Sequence, residues 1–146
     1  MTTNERHTVR VAVYLILIKD NKILLMRRYN TGWNDGNYSV PAGHIDGNES
    51  ITQATIREAR EEIGITVNKN DLDVVHVMHV QSNHEYICFF LQAKKWDGEP
   101  KLMETDKCDD VQWFPLNDLP KNLSENLHAA IESYKKRIFY SEKGWN

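Results

Sequence analysis

The stretch GHIDGNESITQATIREAREEIGI, residues 43–65, joins a polar loop to a strongly helical pattern. Ser50 is a residue type that favours the N-cap of a helix, and Gly64 stands where a left-handed C-terminal cap is expected. The stretch therefore predicts an α-helix over Ser50–Ile63.

Three carboxylates share one face of this predicted helix. Glu58, Glu61 and Glu62 are spaced i, i+3 and i+4, which places their side chains within an arc of about 100°. Like charges at this spacing repel one another, at a cost of about a few tenths of a kcal/mol per pair. A solvated helix face tolerates that cost, whereas Mg²⁺ would neutralise the cluster because it prefers oxygen ligands. The spacing alone leaves both interpretations open.

The same helix has an apolar face and one well-placed cation. Arg57 precedes Glu61 by one turn, the spacing of a helical ion pair. We expect the apolar face to pack on a sheet, and its members are Thr52, Ile56, Ala59 and Ile63.

Apolar and β-branched runs on both sides of the helix predict strands. These runs are Val9–Ile18, Ile23–Met26, Tyr38–Val40, Val74–Gln81, Tyr86–Ala93 and Val111–Phe114. The spacing of apolar residues over Asn122–Phe139 predicts an amphipathic helix. Strands interrupted by one helix and closed by another predict an α/β fold with a mixed sheet between helices. No repeat or linker divides residues 1–146, so we expect a single domain.

Composition and charge exclude several classes of protein. Hydrophobic residues make up 40% and charged residues 27%, as in ordinary globular proteins. The net charge of -3 argues against a nucleic acid polymer or an anionic membrane as partner. No apolar run approaches the roughly 20 residues of a membrane span, and the polar N-terminus lacks the apolar core of a secretory signal.

The two cysteines, Cys88 and Cys108, form neither a disulfide framework nor a CxxC pair. We therefore expect reduced thiols and a cytoplasmic location. The apolar first strand leaves both a monomer and a homodimer open.

The segment 43–65 resembles the Nudix box of the Nudix hydrolase family at every fixed position. Gly43 is followed after five residues by Glu49, and after seven more by the run REAREEIGI, residues 57–65, with Ala59 as the small apolar residue. The resemblance extends from about Val9 to Tyr134. It implies the Nudix fold, a mixed β-sheet sandwiched between α-helices, and hydrolysis of a nucleoside diphosphate linked to another group.

The resemblance also implies roles for individual residues. Glu58, Glu61 and Glu62 would be the metal-binding carboxylates, with the backbone carbonyl of Gly43 as a further ligand. The metal would be Mg²⁺, or Mn²⁺ in its place. Arg57 would orient a catalytic glutamate, Glu61 by its spacing, or contact phosphate. The predicted catalytic residues are therefore Glu61, Glu62 and Arg57.

The general base stays open at this point, because family members take it from inside the box or from a later loop. Inside the box, Glu61 or Glu62 would accept a proton from the attacking water. The candidates in the later loop are Glu104, Asp106, Asp109 and Asp110, for which a solvated acidic loop is the alternative interpretation.

The predicted substrate-binding residues are Trp33, Asp35, Tyr38 and Glu104. The first three precede the box, in a loop placed to edge a pocket, where an aromatic ring stacks on a base and a carboxylate reads its edge. The alternative is that Trp33 and Tyr38 only pack the loop.

Markers of several substrate subgroups are absent downstream of the box. The proline that ADP-ribose pyrophosphatases often carry there does not occur between Ile65 and Glu99. By elimination, these absences favour a small nucleotide as substrate, namely a nucleoside triphosphate in standard or modified form. The products would be the monophosphate and pyrophosphate. A nucleoside diphosphate joined to a sugar or alcohol is the alternative substrate, and a non-catalytic nucleotide-binding Nudix domain is the alternative class. Retention of all three box glutamates favours catalysis.

Overall fold

A computed structural model describes residues 5–146 of the chain. The strands are β1 (Arg10–Lys19), β2 (Lys22–Arg28), β3 (Tyr38–Ser39), β4 (Ala42–His44), β5 (Leu72–Gln81), β6 (Glu85–Ala93), β7 (Cys108–Pro115) and β8 (Tyr140–Lys143). The α-helices are α1 (Ile51–Ile63) and α2 (Glu125–Lys135), and a single 3₁₀ turn, Lys69–Asp71, precedes β5. None of the helices in residues 5–146 has the length and apolar character needed to cross a bilayer.

The strands form a mixed sheet arranged around β1. Strand β1 pairs in parallel with β6, and β6 pairs antiparallel with β5. Strand β8 adds in parallel to the outer edge of β5. On its other side β1 pairs with β4 and turns into β2, which in turn pairs with β3 and β7. The mixed sheet expected from the sequence is confirmed.

The central strand β1 is buried on both faces, which explains its unbroken apolar run. Successive side chains point to opposite faces because the strand repeats every two residues. One face clusters with α2 and the other with α1, so the sheet lies between the two helices as expected. The α2 side contains Ala12, Tyr14, Ile16, Leu127, Ala130 and Ile131, and the α1 side contains Val13, Leu15, Leu17, Ala54, Ala59 and Ile63.

Helix α1 begins and ends where the sequence predicts. The Ser50 backbone N–H donates to Gln53 Oε1 at 2.7 Å, and the Gln53 N–H donates to Ser50 Oγ at 3.1 Å, which completes a capping box. Gly64 ends the helix with φ 69°, the left-handed conformation that glycine adopts without steric cost. Of the predicted apolar face, Ala59 and Ile63 are buried while Thr52 and Ile56 are half-buried, and Ala54 and Thr55 also pack inward.

The predicted helix over Asn122–Phe139 is wrong at both ends. Helix α2 is shorter, Arg137 turns the chain with φ 58°, and β8 follows. The N–H of Val77 in β5 donates to the carbonyl of Phe139 at 2.8 Å. The edge of β5 offers unpaired backbone groups, and a strand satisfies them where a longer helix would not. Strand β4 was also not predicted by the sequence pattern.

Candidate active site

Arg57 of α1 connects the helix to the loop that precedes it. Its Nη2 donates to Glu49 Oε1 at 2.8 Å and to the carbonyl of His44 at 3.1 Å, and its Nε donates to Glu49 Oε2 at 3.1 Å. Its Nη1 donates to Glu58 Oε1 at 2.8 Å and to Glu61 Oε2 at 3.3 Å. The expected pair with Glu61 is thus present, but Glu49 and Glu58 are held more closely. The hydrogen bonds from Arg57 lower the pKa of Glu49.

The carboxylate of Glu58 lies over Gly43, in the space that a Cβ at position 43 would occupy. An ideal Cβ added to Gly43 would lie 2.1 Å from Glu58 Oε1 and 2.3 Å from its Cδ. Glu58 is 9% exposed, and burial raises its pKa although the contact with Arg57 opposes the shift. Glycine at position 43 therefore brings a carboxylate against the backbone of the loop. The resemblance assigns both groups to a metal ion.

The other two glutamates of the helix have different surroundings. Glu62 Oε2 accepts a hydrogen bond from the backbone N–H of Ala42 at 2.9 Å. Burial raises the pKa of Glu62 well above the usual range, and the charges of Glu58 and Glu104 raise it further. The side chain of Glu61 is 52% exposed. The helix thus presents two carboxylates shielded from water and one in contact with it.

The three glutamates line a cleft of about 560 Å³. This volume is in the range of pockets that bind small molecules. Of the predicted substrate-binding residues, Trp33 and Glu104 also line the cleft. The structure therefore brings the box glutamates together with one aromatic ring and one acid from separate loops.

The loop after β2 holds Trp33 at the edge of the cleft. Arg28 Nε donates to the carbonyl of Trp33 at 2.8 Å, and the Arg28 guanidinium lies 4.9 Å from the centroid of the Trp33 ring. Trp33 remains 56% exposed. Asp35 accepts hydrogen bonds from the backbone N–H groups of Thr31 and Gly32, at 3.0 and 2.9 Å. Asp35 therefore shapes the loop that presents Trp33.

Two of the predicted substrate-binding residues, Asp35 and Tyr38, are not among those that line the cleft. Tyr38 is 6% exposed and its hydroxyl donates to the carboxylate of Asp110. The ring of Tyr38 packs edge-on against Phe114. This geometry agrees with the alternative stated above, in which Tyr38 packs the loop, and the binding role of Asp35 and Tyr38 stays a prediction.

Only some acids of the later loop reach the cleft. Glu104 lines it and lies 3.4 Å from Lys107 Nζ. Asp109 accepts from Arg27 Nε at 2.7 Å, and Asp110 accepts from Tyr38. These two carboxylates are therefore engaged elsewhere, and Glu104 is the acid of this loop that faces the box glutamates.

Among the cleft-lining polar residues that the sequence did not single out are Arg28, Lys107 and Asn126. Arg28 ends β2 and Lys107 precedes β7, so a search for cations next to predicted loops would have found both. Asn126 projects from α2, far along the chain from the box, and no local pattern marks it.

The oxygen ligands available at this site fit a hard divalent cation, although they do not form a complete coordination shell. Within residues 5–146, no three His, Cys, Asp or Glu side chains are grouped as a metal site. Arg57 bonds to Glu58 and Glu61, and the N–H of Ala42 bonds to one oxygen of Glu62. Carboxylate and carbonyl oxygens are nonetheless the ligands of Mg²⁺, which needs few of them when phosphate and water complete its shell.

Comparison with known proteins identifies the family. The NUDIX domain model matches residues 7–135. The chain belongs to the Nudix hydrolase family. This Nudix hydrolase shares the fold of the MutT NUDIX hydrolase from Burkholderia pseudomallei, with a TM-score of 0.80 and 27% identity over 86% of this chain and 98% of the other.

Relatives of this Nudix hydrolase have several different names. An ADP-ribose pyrophosphatase of Methanocaldococcus jannaschii is 31% identical over 126 residues, 86% of this chain and 73% of the relative. An 8-oxo-dGTP diphosphatase of Escherichia coli is 30% identical over 63% of this chain and 70% of the relative. The NAD-capped RNA hydrolase NudC of Pseudomonas aeruginosa is 30% identical, but the match spans 37% of its length. The predicted enzyme class, a Nudix pyrophosphohydrolase, is confirmed by these matches.

Replacing Gly43 by alanine tests the contact between the loop and Glu58. The new Cβ would displace the Glu58 carboxylate, so Gly43→Ala is expected to weaken Mn²⁺ binding about tenfold or more. Titration followed by electron paramagnetic resonance measures the affinity. Gly47→Ala is the matched control, because an added Cβ there meets no atom within 4 Å. Equal affinities in the two variants would contradict the prediction.

The raised pKa of Glu62 predicts a pH-dependent effect on stability. The Glu62 carboxyl binds its proton more tightly in the folded protein than in the unfolded chain. Protonated Glu62 therefore contributes fully to stability below about pH 4.5, the ordinary pKa of glutamate. This contribution is lost as the pH rises through the pKa of Glu62 in the folded protein. In metal-free protein, Glu62→Gln is therefore expected to raise Tm at pH 8, with a gain that shrinks towards pH 4.5. Thermal melts in a chelator measure this gain. Glu132→Gln, at a half-exposed site on α2, is the control and should show no such gain.

Proposed function

We propose that this Nudix hydrolase cleaves a nucleoside triphosphate, standard or modified, to the monophosphate and pyrophosphate with Mg²⁺ or Mn²⁺. One observation carries the proposal: Glu58, Glu61 and Glu62 share a single cleft with Arg28 and Lys107. The carboxylates suit a divalent cation, and the two basic side chains suit phosphate oxygens. An anionic diphosphate would therefore meet positive charge both from the bound cation and from the two basic side chains.

The box residues would hold the cation. Glu58, Glu61 and Glu62 would supply carboxylate oxygens and Gly43 its carbonyl oxygen. The bound ion neutralises charge on the diphosphate and acts as a Lewis acid. Arg57 keeps Glu58 and the preceding loop in place through its hydrogen bonds, and it is the proposed orienting residue of the catalytic set.

Glu61 is the proposed general base. It is the most exposed of the three glutamates, and within residues 5–146 its hydrogen bond is the 3.3 Å contact from Arg57 to Oε2. Its Oε1 is therefore available to take a proton from water as that water attacks phosphorus. The bond from that phosphorus to the bridging oxygen then breaks, and the leaving group, which is pyrophosphate or the nucleoside monophosphate according to the phosphorus attacked, departs with the electron pair. Glu62 is the alternative inside the box and Glu104 the alternative in the later loop.

The nucleoside end of the substrate is assigned to the side of the cleft with Trp33. A half-exposed ring stacks on any base without a hydrogen-bond code. A modified nucleotide is supported by the relative named as an 8-oxo-dGTP diphosphatase. A nucleoside diphosphate joined to a sugar is the second candidate, and the relative named as an ADP-ribose pyrophosphatase favours it. The proposed location is the cytoplasm, where the free thiols of Cys88 and Cys108 stay reduced.

A panel of nucleotides decides between the substrates. Nucleoside triphosphates, their oxidised forms and nucleoside diphosphate sugars are compared by kcat/KM, with the products identified. Pyrophosphate release from triphosphates supports the first candidate, and turnover confined to diphosphate sugars establishes the second. Nucleotide binding without turnover of any compound would identify a binding domain and overturn the proposal.

Glu61→Gln tests the assignment of the base. Loss of the proton acceptor is expected to lower kcat by about 10²- to 10⁴-fold, with an unchanged circular dichroism spectrum. Glu99→Gln, at an exposed site outside the cleft lining, is the control. Wild-type turnover in Glu61→Gln would indicate that the general base is Glu62 or Glu104 instead.

Trp33→Ala tests the stacking role of the ring. If the base stacks on Trp33, KM is expected to rise about tenfold while kcat changes little, since one stacking contact contributes about 1–3 kcal/mol. Tyr29→Ala removes a similarly exposed ring from the same loop and is the matched control. An unchanged KM would return Trp33 to a packing role.

A further inference from the structure

The last residues of the chain contact the walls of the cleft. The family match ends at residue 135, and β8 lies beyond it. We propose that three residues after this point, Lys143, Gly144 and Trp145, position two groups that line the cleft and so control substrate affinity. We call these three residues the C-terminal clamp. The first of the two groups is the turn 82–84 between β5 and β6, and the second is Asn126 of α2. The inference rests on the proposed function, because it takes this cleft as the nucleotide site.

Trp145 and Gly144 hold the end of β5, next to the turn. The indole N–H of Trp145 donates to the carbonyl of His79 at 3.1 Å, and the two rings lie 4.6 Å apart. Gly144 has φ 84°, and an added Cβ would lie 1.9 Å from the carbonyl oxygen of Gln81. The backbone of the clamp therefore lies directly against the last residue of β5.

Glu85, the first residue of β6, is held at the other end of the same turn. Its two carboxylate oxygens contact His79 Nε2 at 2.7 Å and His7 Nε2 at 2.6 Å. The turn 82–84 itself is exposed. The Ser82 N–H donates to the carbonyl of His84 at 3.1 Å, and this backbone hydrogen bond closes the turn. The base of this turn is therefore held by side-chain contacts as well as by the pairing of β5 with β6.

Lys143 sets the orientation of the Asn126 side chain. Lys143 Nζ donates to Asn126 Oδ1 at 2.9 Å and to Glu125 Oε2 at 3.1 Å. An ammonium group only donates, so the amide oxygen of Asn126 must face Lys143. The NH₂ group is then turned the other way. Asn126 and Tyr14 both line the cleft. In this proposal Asn126 therefore offers its NH₂ group to the substrate and would favour a group that accepts a hydrogen bond, such as a carbonyl oxygen or a ring nitrogen.

Separate kinetic effects on binding and chemistry test the clamp. The glutamates lie on α1, which the clamp does not contact through these bonds, so kcat should be retained. Lys143→Ala and Trp145→Ala are each expected to raise KM for the best nucleotide about three- to tenfold, with kcat within about twofold. Lys143→Arg keeps a donor for Asn126 and should restore KM. Phe139→Ala and Lys135→Ala are matched controls from the same end of the chain and should leave KM unchanged.

Hydrogen–deuterium exchange supplies a readout that does not depend on turnover. In the nucleotide-free protein, amides of residues 81–85 should exchange faster in Trp145→Ala than in the wild type, and at the wild-type rate in Phe139→Ala. Gly144→Ala is the second variant, because its Cβ would lift the backbone away from Gln81 without removing a side chain. It should show the same faster exchange, which keeps the test decisive if Trp145→Ala does not fold.

The outcomes separate the clamp from the proposed function. An active wild type whose Lys143→Ala and Trp145→Ala variants keep its KM overturns the clamp. The clamp is also overturned if kcat of these variants falls in proportion to their fraction of folded protein. That result would indicate that the three residues only stabilise the fold. If the wild type hydrolyses no nucleotide, the proposed function fails, and the exchange rates of residues 81–85 still decide whether the clamp holds the turn.

Discussion

The guanidinium of Arg57 contacts four groups that would otherwise separate: two carboxylates of its own helix, the carboxylate of Glu49 and the carbonyl of His44. Without this cation, the loop before α1 would lose the hydrogen bonds that join Glu49 and the His44 carbonyl to the helix, and Glu58 would lose its partner of opposite charge. The guanidinium suits this role because its planar fork binds several oxygens at once. The close contact between Glu58 and Gly43 depends on the same arrangement. The rest of the cleft is arranged around this connection.

The connection does not neutralise the site completely. Burial raises the pKa of Glu58 and of Glu62, so their charged forms are less favourable in the folded protein than in the unfolded chain. Such a conflict between stability and charge is expected where a protein binds an ion or carries out chemistry. The scaffold tolerates it because β1 is packed on both faces and α1 is capped at both ends. The unfavourable burial of carboxylates is thus confined to one helix, α1.

The proposed specificity determinants lie in parts of the chain that are far apart in sequence. Relatives with the same domain are named for ADP-ribose, 8-oxo-dGTP and NAD-capped RNA, so the box sets the type of bond and not the attached group. In this chain the remaining walls come from the loop of Trp33, the loop of Glu104, the turn 82–84 and Asn126. Several of these groups take their orientation from neighbours of their own, as Trp33 does from Arg28 and Asn126 from Lys143. We therefore propose that a substrate is recognised by loops whose shape is determined by contacts outside the box.

Local patterns in the sequence determined the helix α1, its caps and the shared face of Glu58, Glu61 and Glu62, because each depends on residues within a few positions of one another. They also determined the family, since the box is contiguous. Tertiary contacts alone decided that Glu104 reaches the cleft while Asp109 binds Arg27, and that Asn126 joins the site from α2. The same holds for the end of the chain, where a helical pattern gave way to β8 because the edge of β5 needed backbone partners. Contacts between residues far apart in sequence follow from the packing of the whole sheet, and a single sequence does not reveal them.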